Sequence, residues 1–302
     1  VLDQNYPEFE VVVVNDASPD ETEQLLAEFS VRDKNLRYTT IPCNDKFSHG
    51  KKLALTIGIK SARYETLLLT DADCYPVSDK WLRNMVSNLT GEKKIALGYG
   101  GYEKRKGLLN ALIRYETVFT AIQYLSCAMK GKPYMGVGRN LAYSKSLFFK
   151  SRGFAGHYHL ASGDDDLFVN ENATGKNTAV EISPESHTLS LPETSFSEWV
   201  KQKQRHLSAG IHYRIGSRTR LAGEMISRML LYVFVVPACL FSPWKCHVLI
   251  AFVLLAVVKM VVIKSGMRRL REKDLLLPSL LFDPLMPVIQ GVIWFSNIFI
   301  TK

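Results

Sequence analysis

Two styles of hydrophobic patterning follow one another along the 302 residues. Residues 8–15 hold Phe9 and four consecutive valines, Val11 to Val14, and end in the turn-forming run Asn15, Asp16, Ala17, Ser18, Pro19, Asp20. An unbroken β-branched run of this kind predicts a strand covered on both faces. Residues 22–29 then predict a helix and 36–41 a strand. Residues 50–61 predict a helix with Leu53, Ala54, Ile57 and Ile59 inward, and 66–70 a second buried strand. Alternation at this spacing implies βαβ units and a mainly parallel sheet, whose ligands gather beyond the carboxyl ends of the strands.

The last quarter of the chain changes character. Residues 229–244 carry no charge, 246–263 carry Lys259 alone, and 284–301 again carry none. Each run is near the lower limit for crossing hydrocarbon about 30 Å thick, so two or three spans are expected, with room for one interfacial or re-entrant segment. Buried core helices are the bland alternative, and three such runs in succession argue against it. The expected division is a domain over 1–222 and a membrane region over 223–302, with spans near 227–244, 246–263 and 280–301. The linker after the second run holds Lys264, Arg268, Arg269, Arg271 and Lys273, whereas the linker before it offers essentially Lys245. By the positive-inside rule the basic linker is cytoplasmic, and two crossings put the N-terminal domain on that same side. Arg214, Arg218, Arg220 and Arg228 agree, and suit anionic headgroups.

Composition changes this picture little. A chain 47% hydrophobic and 22% charged is too apolar for disorder. The formal charge of +9 is compatible with nucleic acid, anionic lipid or a phosphorylated substrate. Much of it sits beside the apolar runs and no aromatic-interleaved basic patch appears, so nucleic acid is not expected as a partner. The five cysteines, Cys43, Cys74, Cys127, Cys239 and Cys246, are odd in number and show no C-x-x-C pair, which points away from a disulfide framework or zinc site and toward a reducing compartment. Val1 is not a start methionine and no signal-peptide pattern opens the chain, so the N-terminus is expected to be a cut edge.

Four polar constellations are candidates for chemistry. Asp71 and Asp73, in Thr70-Asp71-Ala72-Asp73, follow an apolar strand and can approach one divalent ion; Mg²⁺ or Mn²⁺ suits such oxygen ligands. Asp16, at the end of the valine strand, can accept from a base N–H or a ribose hydroxyl, and an Asx-turn or helix cap explains it about as well. Gly163-Asp164-Asp165-Asp166 packs three carboxylates together, whose repulsion raises a pKa unless a cation shares the site, as tuning of a general base requires. An acidic first helical turn is the plainer reading. Gln202, Arg205 and His206 share one side of an amphipathic stretch at i, i+3 and i+4, where an arginine can neutralise a phosphate leaving group. His157 and His159 suit a loop that shapes an acceptor pocket better than a metal site, and Trp199, Tyr213 and Trp244 suit core or membrane-interface positions.

In this order, these elements resemble the family 2 inverting glycosyltransferases of the GT-A fold, over roughly residues 1–221. The resemblance is carried by Asn15-Asp16-Ala17-Ser18, by Gly50-Lys51-Lys52-Leu53-Ala54-Leu55-Thr56-Ile57-Gly58, by Asp71-Ala72-Asp73, by residues 136–143, by Asp164-Asp165, and by Gln202-Lys203-Gln204-Arg205-His206. It implies a mixed, mainly parallel sheet flanked by helices, followed by membrane helices of the bacterial type. It implies that Asp16, Lys51, Asp71, Asp73, Gln202 and Arg205 bind a nucleotide-diphospho-sugar, with Asp73 and Asp71 at the metal. Asp165 is implied as base, beside Asp164 and with Arg205 assisting departure of the diphosphate, and Asn140 and His206 line the acceptor pocket. His206 stands where the family has Trp, which bears on acceptor stacking and processive growth. The family's opening apolar strand and Asn-Glu turn are absent ahead of Val1, so the chain is expected to be part of a longer reading frame and to bind nucleotide poorly by itself.

The implied activity is metal-assisted sugar transfer, with inversion, to a lipid-linked or membrane-associated glycan at the cytoplasmic face of the bacterial inner membrane. Two rivals stand beside it. One is a membrane-anchored, non-catalytic scaffold or glycan-binding subunit; the other is a haloacid-dehalogenase-like phosphotransferase, whose motif wants Thr where Tyr75 stands.

Overall fold

The computed structural model describes residues 1–42, 50–160 and 162–300. Cys43 and residue 301, at the end of the third apolar run, lie outside them. The chain forms two compact units, Val1–Gly100 with Cys127–Ser190, and Gly101–Ser126 with Leu191–Lys302.

In the first unit the valine run forms β1, Val11–Asp16, and the chain continues through α1, Thr22–Arg32, and β2, Leu36–Ile41. β1 and β2 pair in parallel, with Val11 opposite Leu36 and Asp16 opposite Ile41. α2, Lys51–Ser61, packs on this pair with Gly58 against Val14. β3, Thr66–Leu69, and β4, Cys74–Pro76, flank the Asp-Ala-Asp turn. After α3, Trp81–Val86, and β5, Ile95–Leu97, the chain crosses at β6, Gly100–Tyr102, into the second unit and returns through α4, Leu108–Met129. β7, Leu141–Ser144, lies antiparallel between β3 and β5; β8, Thr178–Val180, runs parallel to β5; and β9, Thr188–Ser190, pairs antiparallel with β4.

The sheets are therefore mixed and flanked by helices, with more antiparallel pairing than the strand-helix alternation predicts. β7 is the cause, because it folds back between two strands that both precede it in sequence. Its core is Trp81, Met85, Ala96 and Ala142, with Leu68, Leu82 and Leu89 against them. A second apolar floor stacks Tyr143, Phe148, Phe154 and Phe168, with Tyr143 and Phe168 4.6 Å apart between ring centroids. The helices α5, Lys145–Lys150, and α6, Asp166–Asn172, bring in Phe148 and Phe168.

The second unit is helical: α7, Phe196–Gly210; α8, Ile215–Phe241; α9, Lys245–Arg269; and α10, Leu276–Ile300, with part of α4. Among the described residues, three helices are long and apolar enough to cross a membrane: Ile215–Phe241, Lys245–Arg269 and Leu276–Asn297. α8 and α10 begin well before their charge-free runs, so α8 also carries Arg218, Arg220, Glu224 and Arg228, and α10 carries Asp283. Trp199 and Tyr213 are buried, whereas Trp244, between α8 and α9, is two-thirds exposed, as a membrane-interface anchor requires.

Candidate functional site

The first unit assembles its polar site at the start of α2, the end of β3 and the start of α6. Lys51, which opens α2, places its ammonium 2.8 Å from Asp71 and 2.9 Å from Asp164. One cation thereby ties the turn after β3 to the acidic turn before α6. Burial opposes the charge on Lys51, but the carboxylates of Asp164, Asp71 and Asp165 outweigh it and hold its pKa above the ordinary lysine value.

Asp71, Asp73 and Cys74 bring their ligand atoms within 4.8 Å of one another, and they are the metal-capable group of three among the described residues. Burial pushes the Cys74 thiol up to about 11, and its Sγ lies 2.8 Å from the Ser190 hydroxyl, so it stays protonated and engaged near neutrality. The donors left are the two carboxylates, and that oxygen set fits Mg²⁺ or Mn²⁺. His157 is buried and sits 3.4 Å from Glu171; burial lowers its pKa, and it belongs to no metal-capable group among the described residues.

The acidic turn is shaped by Gly163, whose φ of +96° falls in the region that favours glycine, and where a Cβ would lie 2.4 Å from Leu167 Cδ1. Each aspartate has a separate task. Asp164 is buried and pairs with Lys51. Asp166, also buried, accepts from the Leu167 N–H at 2.7 Å. Asp165 is partly exposed; it accepts from the Gly138 N–H at 2.6 Å and, as the cap of α6, from the Asp166 N–H at 2.7 Å. Burial, with Asp164 and Asp166 as like-charged neighbours, pushes its carboxyl up to about 7 against the opposing pull of Lys51 and Gly138. A carboxyl at that value takes or gives a proton near neutral pH.

Beneath the turn lies Lys52, which the sequence reading did not assign a role. Its side chain is buried, and its ammonium donates to the carbonyls of His157 at 2.5 Å, Leu160 at 2.9 Å and Ser162 at 2.7 Å. Two adjacent lysines at the positive end of a helix dipole are unfavourable unless partners elsewhere hold them, and that was the available signal.

Asp16 sits at the carboxyl end of β1, where a cleft of about 610 Å³ is lined by Asn15, Ala17, Ser18, Glu23, Thr40, Ile41 and Pro42. The Asx-turn bond is made by Asn15, which accepts from the Ser18 N–H at 3.1 Å. Asn140 requires a correction. It is wholly buried, accepts from Trp81 Nε1, and donates to the carbonyls of Tyr99 and Ser186, so it bolts strands together and lines no acceptor pocket.

Gln202, Arg205 and His206 belong to the second unit, on α7. Gln202 is half-buried, accepting from the Tyr102 hydroxyl at 3.5 Å and donating to Glu193 at 3.3 Å; Arg205 and His206 are exposed. Lys203, on the same helix, pairs with Glu116.

Residues 1–150 match the model of the Glycosyl transferase family 2 family. The match takes in Asp16, Lys51, Asp71 and Asp73 and ends before the acidic turn. Two poly-beta-1,6-N-acetyl-D-glucosamine synthases of Staphylococcus epidermidis are 25% and 24% identical over 212 residues, 70% of this chain and 49% of theirs. The chain thus spans about half the length of the curated relatives it matches. Among solved structures, residues 1–349 of S. aureus TarS with UDP align at 17% identity over 81% of this chain and 70% of that one, with a TM-score of 0.47. Glucosyl-3-phosphoglycerate synthase from Mycobacterium tuberculosis aligns at 15% identity over 63% of each chain, with a TM-score of 0.38. With its mixed sheets flanked by helices and its paired aspartates after β3, this chain belongs to glycosyltransferase family 2.

Proposed function

We propose that the protein transfers a sugar from a nucleotide-diphospho-sugar to an acceptor hydroxyl, with inversion at the anomeric carbon. The observation that carries the reading is the charge balance of the first unit. Asp71, Asp73, Asp164, Asp165 and Asp166 outnumber the cations among them, Lys51, Lys52 and Arg139, and the surplus negative charge suits a divalent cation brought with a diphosphate. Asp71 and Asp73 would hold Mg²⁺ or Mn²⁺, which supplies Lewis-acid stabilisation of charge on a departing diphosphate.

The chain's own groups have the following tasks. The cleft beyond β1 and β2 takes the base and ribose, with Asp16 accepting hydrogen bonds at its rim. Asp165, fixed by the Gly138 and Asp166 N–H groups, receives the acceptor's hydroxyl proton as the oxygen attacks opposite the leaving diphosphate. Asp164 holds Lys51 in place. Gln202, Arg205 and His206 keep the roles that the family register implies: donor binding, neutralisation of the leaving group, and the acceptor side.

The apolar helices support a lipid-linked or membrane-associated acceptor, with the first unit at the cytoplasmic face of a bacterial inner membrane, and the S. epidermidis relatives support a glycan product. The test is release of nucleoside diphosphate from a panel of donors by the complete reading frame in membranes, with and without chelator. Acceptor-dependent release that chelation abolishes and Mn²⁺ or Mg²⁺ restores is expected. Release indifferent to chelation, or none with any donor, defeats the reading.

A further inference from the structure

We propose that α10 does not cross the membrane: it lies in the plane of the interface, with an apolar stripe among the lipids, and only the α8–α9 hairpin enters the hydrocarbon. The inference goes beyond the catalytic reading and does not depend on it.

The contacts at the two ends of α10 carry it. Just before the helix, Glu272 pairs with Arg114 and Asp274 with Lys104, and early in it the ring of Phe282 lies 5.6 Å from that of Tyr115 on α4. Asp283 reaches Arg228 and Tyr232 on α8 and Lys259 on α9. Further along, Gly291 lies beside Met225, nearer the start of α8. At the end, Ser296 accepts from the Gln204 side chain at 3.0 Å and Asn297 donates to the Gln204 carbonyl at 2.9 Å, on α7, which precedes α8. A third span beside the hairpin would instead advance about 21 Å from residue 283 to 297, toward the loop between α8 and α9. α10 turns back toward the hairpin's base.

The hairpin has the complementary dimensions. Arg228 is the buried residue of α8, and Ile263 and Met267 are those of α9, among the described residues. Beyond them, residues 229–241 extend about 20 Å and 245–262 about 27 Å, so the second arm nearly matches an apolar core about 30 Å deep and the first reaches about two-thirds of it. α10 itself is divided lengthwise. Leu277, Leu281, Leu285, Val288, Val292 and Phe295 are exposed along one stripe at helical spacing, while Phe282, Met286 and Ile293 are buried on the opposite face. The stripe has no charge and continues the apolar surface of the hairpin, so lipid rather than a second protein is its occupant. Through Gln204, α10 then holds α7 at the membrane surface.

The test uses the full chain in lipid vesicles, native cysteines replaced, with single spin labels at Leu281, Leu285, Val288 and Val292 and reference labels at Val253 and Val258. Collision with oxygen and with a water-soluble nickel complex reports depth. The four α10 labels are expected at one shallow level, within about one helical turn's rise of each other, and the α9 labels deeper. A steady descent of about 16 Å from 281 to 292 overturns the proposal, as do labels shielded from both collision partners, which would mean a protein partner. Fusions in a bacterial host provide a readout without cysteine substitution: a reporter after residue 302 should share the membrane side of one after residue 269. Opposite sides overturn the proposal.

Discussion

Both units bury charge, and they do so in opposite ways. In the second, Asp283 is flanked by Arg228 at 3.3 Å and Lys259 at 2.8 Å, and Arg228 also lies 3.2 Å from Glu224. Two cations meet two carboxylates. In the first, five aspartates outnumber Lys51, Lys52 and Arg139, and Lys52 spends its hydrogen bonds on carbonyls rather than carboxylates. A balanced cluster satisfies itself and specifies packing; an unbalanced one is completed by a ligand of the missing sign. Removing a member should therefore have different consequences in the two places.

The largest effect is expected at the unbalanced site. Asp165→Asn keeps the shape and, through its single accepting oxygen, one of the two backbone hydrogen bonds, but it cannot accept the proton, so kcat should fall on the order of 10²–10⁴-fold while donor affinity changes little. Turnover with and without substitution, together with equilibrium binding of the donor, checks both halves. Unchanged kcat removes Asp165 from its role. Next is the balanced cluster: Asp283→Ala takes the shared carboxylate from the buried Arg228, which keeps only Glu224, and from the partly exposed Lys259, and should cost up to about 3–5 kcal/mol of stability. Asp283→Ala combined with Lys259→Met should regain part of that loss. Denaturation in detergent micelles reads both, and equal stability of the single and double variants would show that the charges do not couple.

These clusters were unequally visible in the amino-acid sequence. β1, β2, α2 and β3 were legible because β-branched runs and helical spacing are local properties. Asp71 and Asp73 were legible because they stand where an apolar strand ends. Asp283 was passed over, since it lies one residue before the third charge-free run; paired with Lys259, the sole charge of the second, it was a readable signal. The position of β7 was not legible, because four residues, Leu141–Ser144, carry no local mark of which neighbours they join. Asn140 misled for a related reason. A polar residue in a motif has the same letter whether it faces a pocket or, as here, three partners inside the core.

Lys52 sharpens the comparison, because its charge serves geometry within the unbalanced site. Lys52→Met leaves the carbonyls of His157, Leu160 and Ser162 without their buried donor, at a cost of about 1–3 kcal/mol for each group left unsatisfied. Loosening of the stretch ahead of Asp164 should lower kcat by roughly tenfold to a hundredfold with little change in donor KM, and Lys52→Arg should restore part of it. A loss confined to thermal stability, with kcat intact in the folded fraction, would make Lys52 structural only.

The smallest effect is a pH dependence, and its direction follows from the same imbalance. Asp165 is pushed up to about 7 from the ordinary carboxylate value, and its deprotonated form is the one that accepts a proton. kcat should therefore rise with pH through about 7, with a tenfold loss for each unit below it. Lys51 opposes the rise by favouring the carboxylate. Lys51→Met should consequently move the midpoint upward, to higher pH, where a neutral pH assay alone would register only a modest decline. Asp283→Ala, in the cluster whose charges already cancel, should leave that midpoint where it is. A midpoint that ignores Lys51 but follows Asp283 would reverse the assignment of which cluster is poised for chemistry.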